Sequence, residues 1–135
     1  MPIDFGRSLS DGERIFGDHK TIRGFASGLA VGSIVALFES HFIAGSLFVV
    51  AIFASLGALL GDLGGAFAKR RFGIKPGAPL PILDQLDFVV GALLLVSTVF
   101  QITVGSLLIL ILVTPPIHLL ANLGAYLLRL KSNYW

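Results

Sequence analysis

Long apolar runs dominate the chain, and most of its charged residues lie in the stretches between these runs. A bilayer core about 30 Å thick is crossed by roughly 20 apolar residues in helical form. Two runs approach or exceed that length, from about Gly24 to Phe38 and from about Phe42 to Phe67. The pattern therefore predicts a first and a second membrane-spanning helix.

A third apolar stretch, from Phe88 to Val113, carries no charge and is followed by Thr114 and two prolines. It can form either one long tilted helix or the end of one span and the start of another. We favour two spans, because polar residues and a glycine interrupt the run between Gln101 and Gly105. The third span then covers about Leu83 to Phe100, and the fourth covers about Val104 to Leu128, kinked at the proline pair.

The basic residues give the chain an orientation. They fall into three groups: Arg7, Arg14, Lys20 and Arg23; Lys69, Arg70, Arg71 and Lys75; and Arg129 and Lys131. Four spans place all three groups on one side, which the positive-inside rule assigns to the cytoplasm, whereas three spans would separate the last group. We therefore predict an all-α integral membrane protein with about four transmembrane helices and both termini cytoplasmic. It forms a single domain over 1–135, with cytoplasmic segments at about 1–23, 68–82 and 129–135.

The composition supports the membrane assignment. The chain has 135 residues, of which 55% are hydrophobic and 13% are charged, whereas soluble domains carry roughly 25% charged residues. A soluble monomer and a disordered chain are excluded on this ground. The sequence contains no cysteine, which excludes a disulfide-linked scaffold and a thiolate metal site. We expect no nucleic-acid partner.

Glycines recur at every fourth position in the first two predicted spans. The two ladders are Gly24, Gly28 and Gly32, and Gly57, Gly61 and Gly65. Small residues at this spacing let transmembrane backbones approach closely. The ladders predict tight helix packing, and the sequence leaves open whether the packed helices belong to one chain or to a homodimer.

Three carboxylates are predicted to lie at the cytoplasmic ends of the second and third spans. Asp84 and Asp87 are three residues apart and share one helix face, and Asp62 lies near the end of the second span. A carboxylate at this depth is costly unless it is paired, hydrated or bound to a metal. The three can be ordinary helix-end charges, but together they suit a hard-oxygen site for Mg²⁺, the interpretation we favour.

Basic residues beside these carboxylates suit a phosphate-rich substrate. Lys69, Arg70, Arg71 and Lys75 lie in or before a segment rich in glycine and proline. They can bind anionic lipids as an ordinary basic anchor, or they can bind phosphate oxygens. Lys20 and Thr21 lie at a predicted helix start and form a second candidate anion site, although the glycine spacing of a Walker A loop is missing.

Taken together, these runs resemble the archaeal CDP-archaeol synthase family, the counterpart of the CDP-diacylglycerol synthases. The resembling stretches are Pro2 to Gly6, Asp11 to Gly28, Gly61 to Phe88 and Thr114 to Leu120. The series Lys69-Arg70, Lys75, Pro81 and Asp84-Gln85-Leu86-Asp87 also resembles the wider cytidylyltransferase signature, in which a Lys-Arg pair precedes a Lys-Asp and an Asp-x-x-Asp.

The chain departs from these patterns in two places. Pro76 stands where the wider signature has an acid after the lysine, so Asp62 is the candidate for the missing metal ligand. The family usually has one more hydrophobic helix ahead of the Pro2 to Gly6 run, whereas Met1 directly precedes it here. We expect the chain either to be naturally short or to begin at a late start codon.

The resemblance implies a transmembrane cytidylyltransferase domain with its active site on the cytoplasmic face. Such an enzyme transfers CMP from CTP to an unsaturated isoprenoid glycerol-ether phosphate, giving a CDP-lipid and pyrophosphate, with Mg²⁺ as cofactor. The lipid phosphate is the nucleophile, so no protein nucleophile is required. The catalytic residues it implies are Asp84, Asp87 and Lys75. The metal ligands are Asp62, Asp84 and Asp87, and the nucleotide and phosphate contacts are Asp18, Lys20, Thr21, Arg23, Lys69 and Arg70.

Two alternative functions belong to other classes. A CDP-alcohol phosphotransferase begins its motif with Asp-Gly-x-x-Ala-Arg, and the run Asp11-Gly12-Glu13-Arg14 lacks the Ala-Arg and the acid spacing that follows it. A non-catalytic membrane channel or scaffold would not explain why acids and bases gather on one side of the membrane.

Overall fold

Four α-helices account for most of the chain. The computed structural model describes residues 1–43, 45, 47–74, 80 and 83–130. The helices are α1 (Ile22–Phe42), α2 (Leu47–Arg71), α3 (Leu83–Val96) and α4 (Val104–Leu127). No β-strand occurs in that part of the chain, where two isolated β-bridges join Pro2 to Thr21 and Ser8 to Arg14. The predicted all-α architecture is therefore confirmed.

Three helices are long and apolar enough to cross a membrane, namely α1, α2 and α4. The shorter α3 has 14 residues, which rise about 21 Å at 1.5 Å per residue and fall short of a hydrocarbon core of about 30 Å. It ends at Val96 rather than at the predicted Phe100. The hydroxyls of Ser97 and Thr98 donate to the carbonyls of Leu94 and Leu95 at 2.7 Å, and these bonds satisfy groups that a further helical turn would otherwise use.

The division of the long apolar stretch into two helices is confirmed. Thr103 caps the start of α4, where its Oγ1 accepts a hydrogen bond from the backbone N–H of Ser106 at 3.2 Å. Pro115 and Pro116 lie inside α4, which continues through them to Leu127. Because each proline removes one backbone donor, this is the weakest part of the helical hydrogen-bond ladder, and a kink here stays a prediction.

The helices form an open row in which each contacts its sequence neighbours. The contacting pairs among the described residues are α1 with α2, α2 with α3, and α3 with α4. The last contact includes the ring of His118, which lies 6.1 Å from that of Phe88 between centroids. Exposed apolar side chains such as Leu112 and Leu120 cover the outside of α4, which has no buried residue. Such apolar surfaces are expected where helices face lipid, and the chain is a membrane protein.

The glycine ladders mark the closest helix contacts. A Cβ atom on Gly57 of α2 would lie 2.5 Å from the carbonyl oxygen of Gly91 in α3, and one on Gly61 would overlap the carbonyl oxygen of Asp87. In the first ladder, a Cβ on Gly28 of α1 would lie 2.9 Å from the Leu59 side chain of α2. Tight packing within one chain therefore accounts for the central positions of both ladders.

Candidate active site at the end of α2

The first 21 residues fold into a loop, which we call the N-terminal loop, against the C-terminal half of α2. The backbone N–H of Ile3 donates to the carbonyl of Lys20 at 2.8 Å, and that of Ile22 donates to the carbonyl of Met1 at 3.1 Å. These bonds place Lys20 beside α2, where its Nζ lies 2.6 Å from both carboxylate oxygens of Asp62. Two residues that the sequence assigned to the site separately therefore form one ion pair.

Asp4 organises the N-terminal loop from inside. Its side chain is buried and accepts five hydrogen bonds: from the backbone N–H of Gly6, Phe16 and Gly17 at 3.0–3.1 Å, and from Nε and Nη2 of Arg14 at 3.3 and 2.6 Å. Above all the Arg14 guanidinium, and then the backbone donors, hold the pKa of Asp4 well below its usual range, against the opposing effect of burial. The sequence prediction missed Asp4, although an aspartate two residues before a glycine is a turn signal.

Arg14 and Arg71 tie the loop to the end of α2. The Nη1 of Arg14 lies 2.8 Å from an oxygen of Asp18, and its pairing with Asp4 raises the pKa of Arg14. Arg71 forms an ion pair with Asp11, and its Nη2 donates to the carbonyls of Glu13 and Arg14 at 3.2 and 2.7 Å. The sequence grouped Arg71 with its basic neighbours but gave it no role of its own, and in the structure its side chain attaches the loop to α2.

A small cationic pocket lies between this loop and α2. Its volume is about 190 Å³, and its lining residues are Phe16, Gly17, His19, Lys20, Ala66, Lys69 and Arg70. Arg70 is only 4% exposed, and its Nε and Nη1 have no hydrogen-bond partner among the described residues. Since a buried donor without a partner is costly, the pocket suits an anionic ligand that supplies oxygen acceptors. We call it the Arg70 pocket.

The Arg70 pocket brings together three of the predicted nucleotide contacts and leaves three outside. Lys20, Lys69 and Arg70 line it. The side chain of Asp18 is 72% exposed and pairs with Arg14. Thr21 uses its Oγ1 to cap α1, accepting from the N–H of Gly24 at 3.0 Å, and Arg23 is exposed in the first turn of α1. Lys75 lies outside the described residues.

Thr21 and Asp62 line a neighbouring cavity of about 240 Å³ between the loop, α1 and α2. His19 and Lys20 line both this cavity and the Arg70 pocket. Sequence reasoning did not select His19, and its only signal there was its place within the polar run that contains Lys20. The two cavities therefore meet along the side chains that precede α1.

The three predicted metal ligands lie on α2 and α3. Asp62 is paired with Lys20, and Asp84 forms an ion pair with Lys69 and accepts a hydrogen bond from the N–H of Leu80 at 3.0 Å. The carboxylate of Asp87 packs over Gly65, where a Cβ atom would overlap it. Glycine at position 65 therefore makes room for a carboxylate between the two helices.

The donor chemistry of this set fits a hard divalent cation, because all three ligands are carboxylates. Two of them already hold a cationic ammonium group, that of Lys20 on Asp62 and that of Lys69 on Asp84. Within 1–43, 45, 47–74, 80 and 83–130, no three His, Asp or Glu side chains lie close enough together to hold a metal ion. In the described structure, Asp62 and Asp84 are therefore engaged in ion pairs with lysines.

An apolar cleft of about 560 Å³ runs between α2 and α3 and reaches Asp87. Its remaining lining residues are Gly57, Leu60, Gly61, Gly64, Gly65, Ala68, Leu86, Val90, Gly91, Leu94 and Leu95. A hydrocarbon chain suits such a lining, because it would bury apolar surface without leaving polar groups unpaired. The cleft and the Arg70 pocket both adjoin the last turns of α2.

Comparison with known proteins gives a consistent result. A family profile described as CarS-like, CDP-archaeol synthase, matches residues 1–135. The CDP-archaeol synthase of Thermofilum pendens is 46% identical over 99% of this chain, which spans 66% of that protein's length, and that of Pyrococcus furiosus is 45% identical over 99% of this chain and 83% of its own. A solved structure of an intramembrane enzyme for archaeal membrane lipid biosynthesis matches with a TM-score of 0.75 and 41% identity, covering 90% of this chain and 78% of that one.

Proposed function

Because the chain belongs to the CDP-archaeol synthase family of membrane cytidylyltransferases, we propose that it transfers CMP from CTP to an isoprenoid glycerol-ether phosphate. The lipid phosphate attacks the α-phosphorus of CTP, the bond to the β-phosphate oxygen breaks, and pyrophosphate leaves. The observation that carries this proposal is the buried Arg70 guanidinium, whose Nε and Nη1 lack partners among the described residues in a pocket shared with two lysines.

The Arg70 pocket is the proposed site for the phosphates of CTP. Arg70 can donate charge-assisted hydrogen bonds to phosphate oxygens from Nε and Nη1. Lys20 and Lys69 line the same pocket and supply two further positive charges. Because negative charge grows on the departing pyrophosphate, the buried guanidinium of Arg70, which is already in place, would stabilise the transition state more than a mobile cation.

The α2–α3 cleft is the proposed site for an isoprenoid chain of the lipid. Its polar end at Asp87 lies on the same helices that carry Lys69 and Asp84. A lipid in this cleft would place its phosphate near the cationic pocket while the chain stays in an apolar environment. Holding the two anionic substrates in this way replaces a bimolecular encounter with a local one.

Cytidylyl transfer generally uses a divalent metal, and we propose that this metal is Mg²⁺. Asp62, Asp84 and Asp87 would hold it, and it would supply neutralising charge beside the phosphates. The two lysines that now pair with Asp62 and Asp84 would then bind phosphate oxygens instead. Lys20 and Lys69 therefore change partners in this proposal, from carboxylates to the nucleotide.

The remaining predicted residues keep proposed roles through the family resemblance. Lys75 is proposed as a catalytic cation in the segment between α2 and α3. Asp18, Thr21 and Arg23 are proposed as nucleotide contacts, and of these Thr21 adjoins Lys20 in the cavity beside α1. Their roles require the N-terminal loop to close over the nucleotide from the side of Lys20.

The proposed membrane orientation puts the active site on the cytoplasmic face. The support is the clustering of Lys and Arg at the end of α2 and in the N-terminal loop, because basic residues are retained on that side. The chain then acts as a single multi-pass domain over 1–135. A homodimer is compatible with this arrangement, because one chain supplies the whole lining of the Arg70 pocket while α1 and α4 keep exposed apolar faces.

The test is an assay of purified protein in detergent with labelled CTP, Mg²⁺ and isoprenoid glycerol-ether phosphates. We expect a labelled CDP-lipid and release of pyrophosphate, both strongly reduced in Arg70→Gln. Glu39→Gln is the matched control, because Glu39 lies near the C-terminal end of α1, whereas the N-terminal loop adjoins its first residue. Release of CMP in a parallel assay that supplies a CDP-lipid and an alcohol acceptor would instead indicate the phosphotransferase alternative, and absence of both reactions would refute the proposal.

A further inference from the structure

Asp4 does not line the Arg70 pocket, yet its hydrogen bonds hold the wall of that pocket in place. The N-terminal loop contributes Phe16, Gly17, His19 and Lys20 to the wall. The backbone N–H groups of Phe16 and Gly17 donate to Oδ2 of Asp4 at 3.0 and 3.1 Å. Gly17 has a φ of +97°, a conformation that glycine adopts at little cost. The loop backbone at this point is therefore shaped around the carboxylate.

The influence of Asp4 extends to a phosphate-binding lysine. The backbone N–H of Lys20 donates to the carbonyl of Gly17 at 3.4 Å, so the turn that Asp4 holds leads directly to Lys20. The side chain of Lys20 in turn forms the ion pair with Asp62 on α2. Loosening the turn at Gly17 would therefore release both the pocket wall and the lysine that adjoins it.

Arg14 connects Asp4 to the other side of the pocket. Its guanidinium binds Asp4, while its own carbonyl accepts a hydrogen bond from Nη2 of Arg71 at 2.7 Å. Arg71 follows Arg70 directly in α2. A continuous path of polar contacts thus runs from Asp4 through Arg14 and Arg71 to the helix that presents Arg70.

We propose that Asp4 is a positioning residue for nucleotide binding, which sets the distance between the loop wall and Arg70 through Arg14 and the turn at Phe16–Gly17. It does not touch the substrate. This inference rests on the proposed function, because the ligand whose binding it adjusts is the phosphate portion of CTP. It assigns a role in substrate affinity to a carboxylate remote from Asp84 and Asp87.

The test compares two carboxylate-to-amide changes in the same loop. Asp4→Asn keeps the shape and one acceptor oxygen but loses the charge that binds Arg14, and losing a charge-assisted hydrogen bond should raise the apparent KM for CTP about tenfold. We expect kcat to change by less than about threefold, because the reacting groups stay in place. Glu13→Gln is the matched control, because the exposed Glu13 side chain forms no ion pair with any described residue.

A second comparison checks the path through Arg14. Because Asp4 acts partly through Arg14, the double variant Asp4→Asn/Arg14→Gln should raise the KM for CTP by less than the product of the two single effects. Multiplied KM effects would contradict the path. An unchanged KM in Asp4→Asn, with kcat lowered only in proportion to the folded fraction, would reduce Asp4 to a purely structural role and overturn the proposal.

Gly17→Ala decides the matter if Asp4→Asn does not fold. A Cβ at Gly17 meets no atom within 4 Å, so this change strains the backbone turn at a φ of +97° without a steric clash, and we expect KM to rise in the same direction. An unchanged KM would overturn the proposal. The wild-type protein distinguishes failure of the proposed function from failure of the role of Asp4. If the wild type neither binds CTP nor forms a CDP-lipid, both proposals are overturned. If the wild type is active and Asp4→Asn has the same KM for CTP as Glu13→Gln, only the role of Asp4 is overturned.

Discussion

Helix α2 is bound to α3 and to the N-terminal loop by opposite kinds of contact. Towards α3 it presents glycines, so that backbone meets backbone and a single added carbon at Gly57 or Gly61 would collide with the partner helix. Towards the N-terminal loop it presents Asp62 and Arg71, which form ion pairs and hydrogen bonds. The first contact depends on shape, whereas the second depends on charge and is expected to weaken in salt. The difference shows how one helix can support both a fixed scaffold and an adaptable binding site.

The largest expected effect separates activity from folding at Asp84, the α3 carboxylate that pairs with Lys69 of α2. Asp84→Asn should lower CDP-lipid formation at least about a hundredfold, in the range seen when a preorganised electrostatic group is removed. The protein should stay folded, because asparagine still offers an oxygen to the N–H of Leu80. Turnover and thermal unfolding in detergent measure the two properties together. A fully active variant would remove Asp84 from the proposed site.

The glycine side should show the reverse pattern, with a loss of folding. Gly61→Ala should lower the free energy of unfolding by about 1–3 kcal/mol, because the new methyl group overlaps the carbonyl of Asp87. Gly64→Ala is the matched control, because a Cβ there meets nothing within 4 Å, and it should be neutral or stabilise α2 by up to about 1 kcal/mol. Equal unfolding temperatures for the two variants would show that α2 and α3 do not pack as described.

Lowering the pH should test whether the buried carboxylate of Asp4 is bound as described. The folded-state pKa of this carboxyl is lowered, so its contribution to stability is fully present above the unfolded pKa of about 3.9 and is lost as the pH falls through the lower folded value. At a pH of about 3, the carboxyl carbon of Asp4 in isotopically labelled protein should still give the NMR shift of a carboxylate. A midpoint near 3.9 would contradict the described network.

The smallest effect is expected for the exposed link between Asp11 and Arg71. Asp11→Asn should lower the free energy of unfolding by no more than about 1 kcal/mol, since exposed ion pairs are weak, and Arg71 keeps its bonds to two backbone carbonyls. The difference from wild type should shrink further in 1 M salt because of screening. Thermal unfolding at low and high salt measures it. A loss as large as that of Gly61→Ala would mean that the charged side contributes as much stability as the glycine side.

The sequence predicted the helices but not the residues at which they end. Apolar runs predict helices because a bilayer requires them, and the break before Val104 followed from polar residues there. The end of α3 was not predictable in this way, because it depends on which carbonyls the hydroxyls of Ser97 and Thr98 bind. Periodicity reports the presence of a helix and contains little about the bonds that terminate it.

The site was predicted as a set of residues but not as a set of pairs. Lys20 and Asp62 were both selected, yet their contact joins residues 42 apart in the chain, a separation that no local pattern encodes. The three consecutive basic residues at the end of α2 were also alike in the sequence. Successive helical residues point about 100° apart, so Lys69 meets Asp84, Arg70 enters the pocket and Arg71 meets the loop. Only the placement of neighbouring elements assigns these three roles.

The open row of helices has a consequence for biosynthesis. Every helix contact in the described chain joins neighbours in sequence, so each helix can dock on the previous one as it leaves the insertion machinery, without waiting for a distant segment. The N-terminal loop must wait only for α2, which carries its partners Asp62 and Arg71. The Arg70 pocket, whose lining ends at residue 70, is therefore complete before α4 is translated. We expect a ribosome-stalled chain that exposes α1 to α3 to bind nucleotide while α4 is still inside the ribosome.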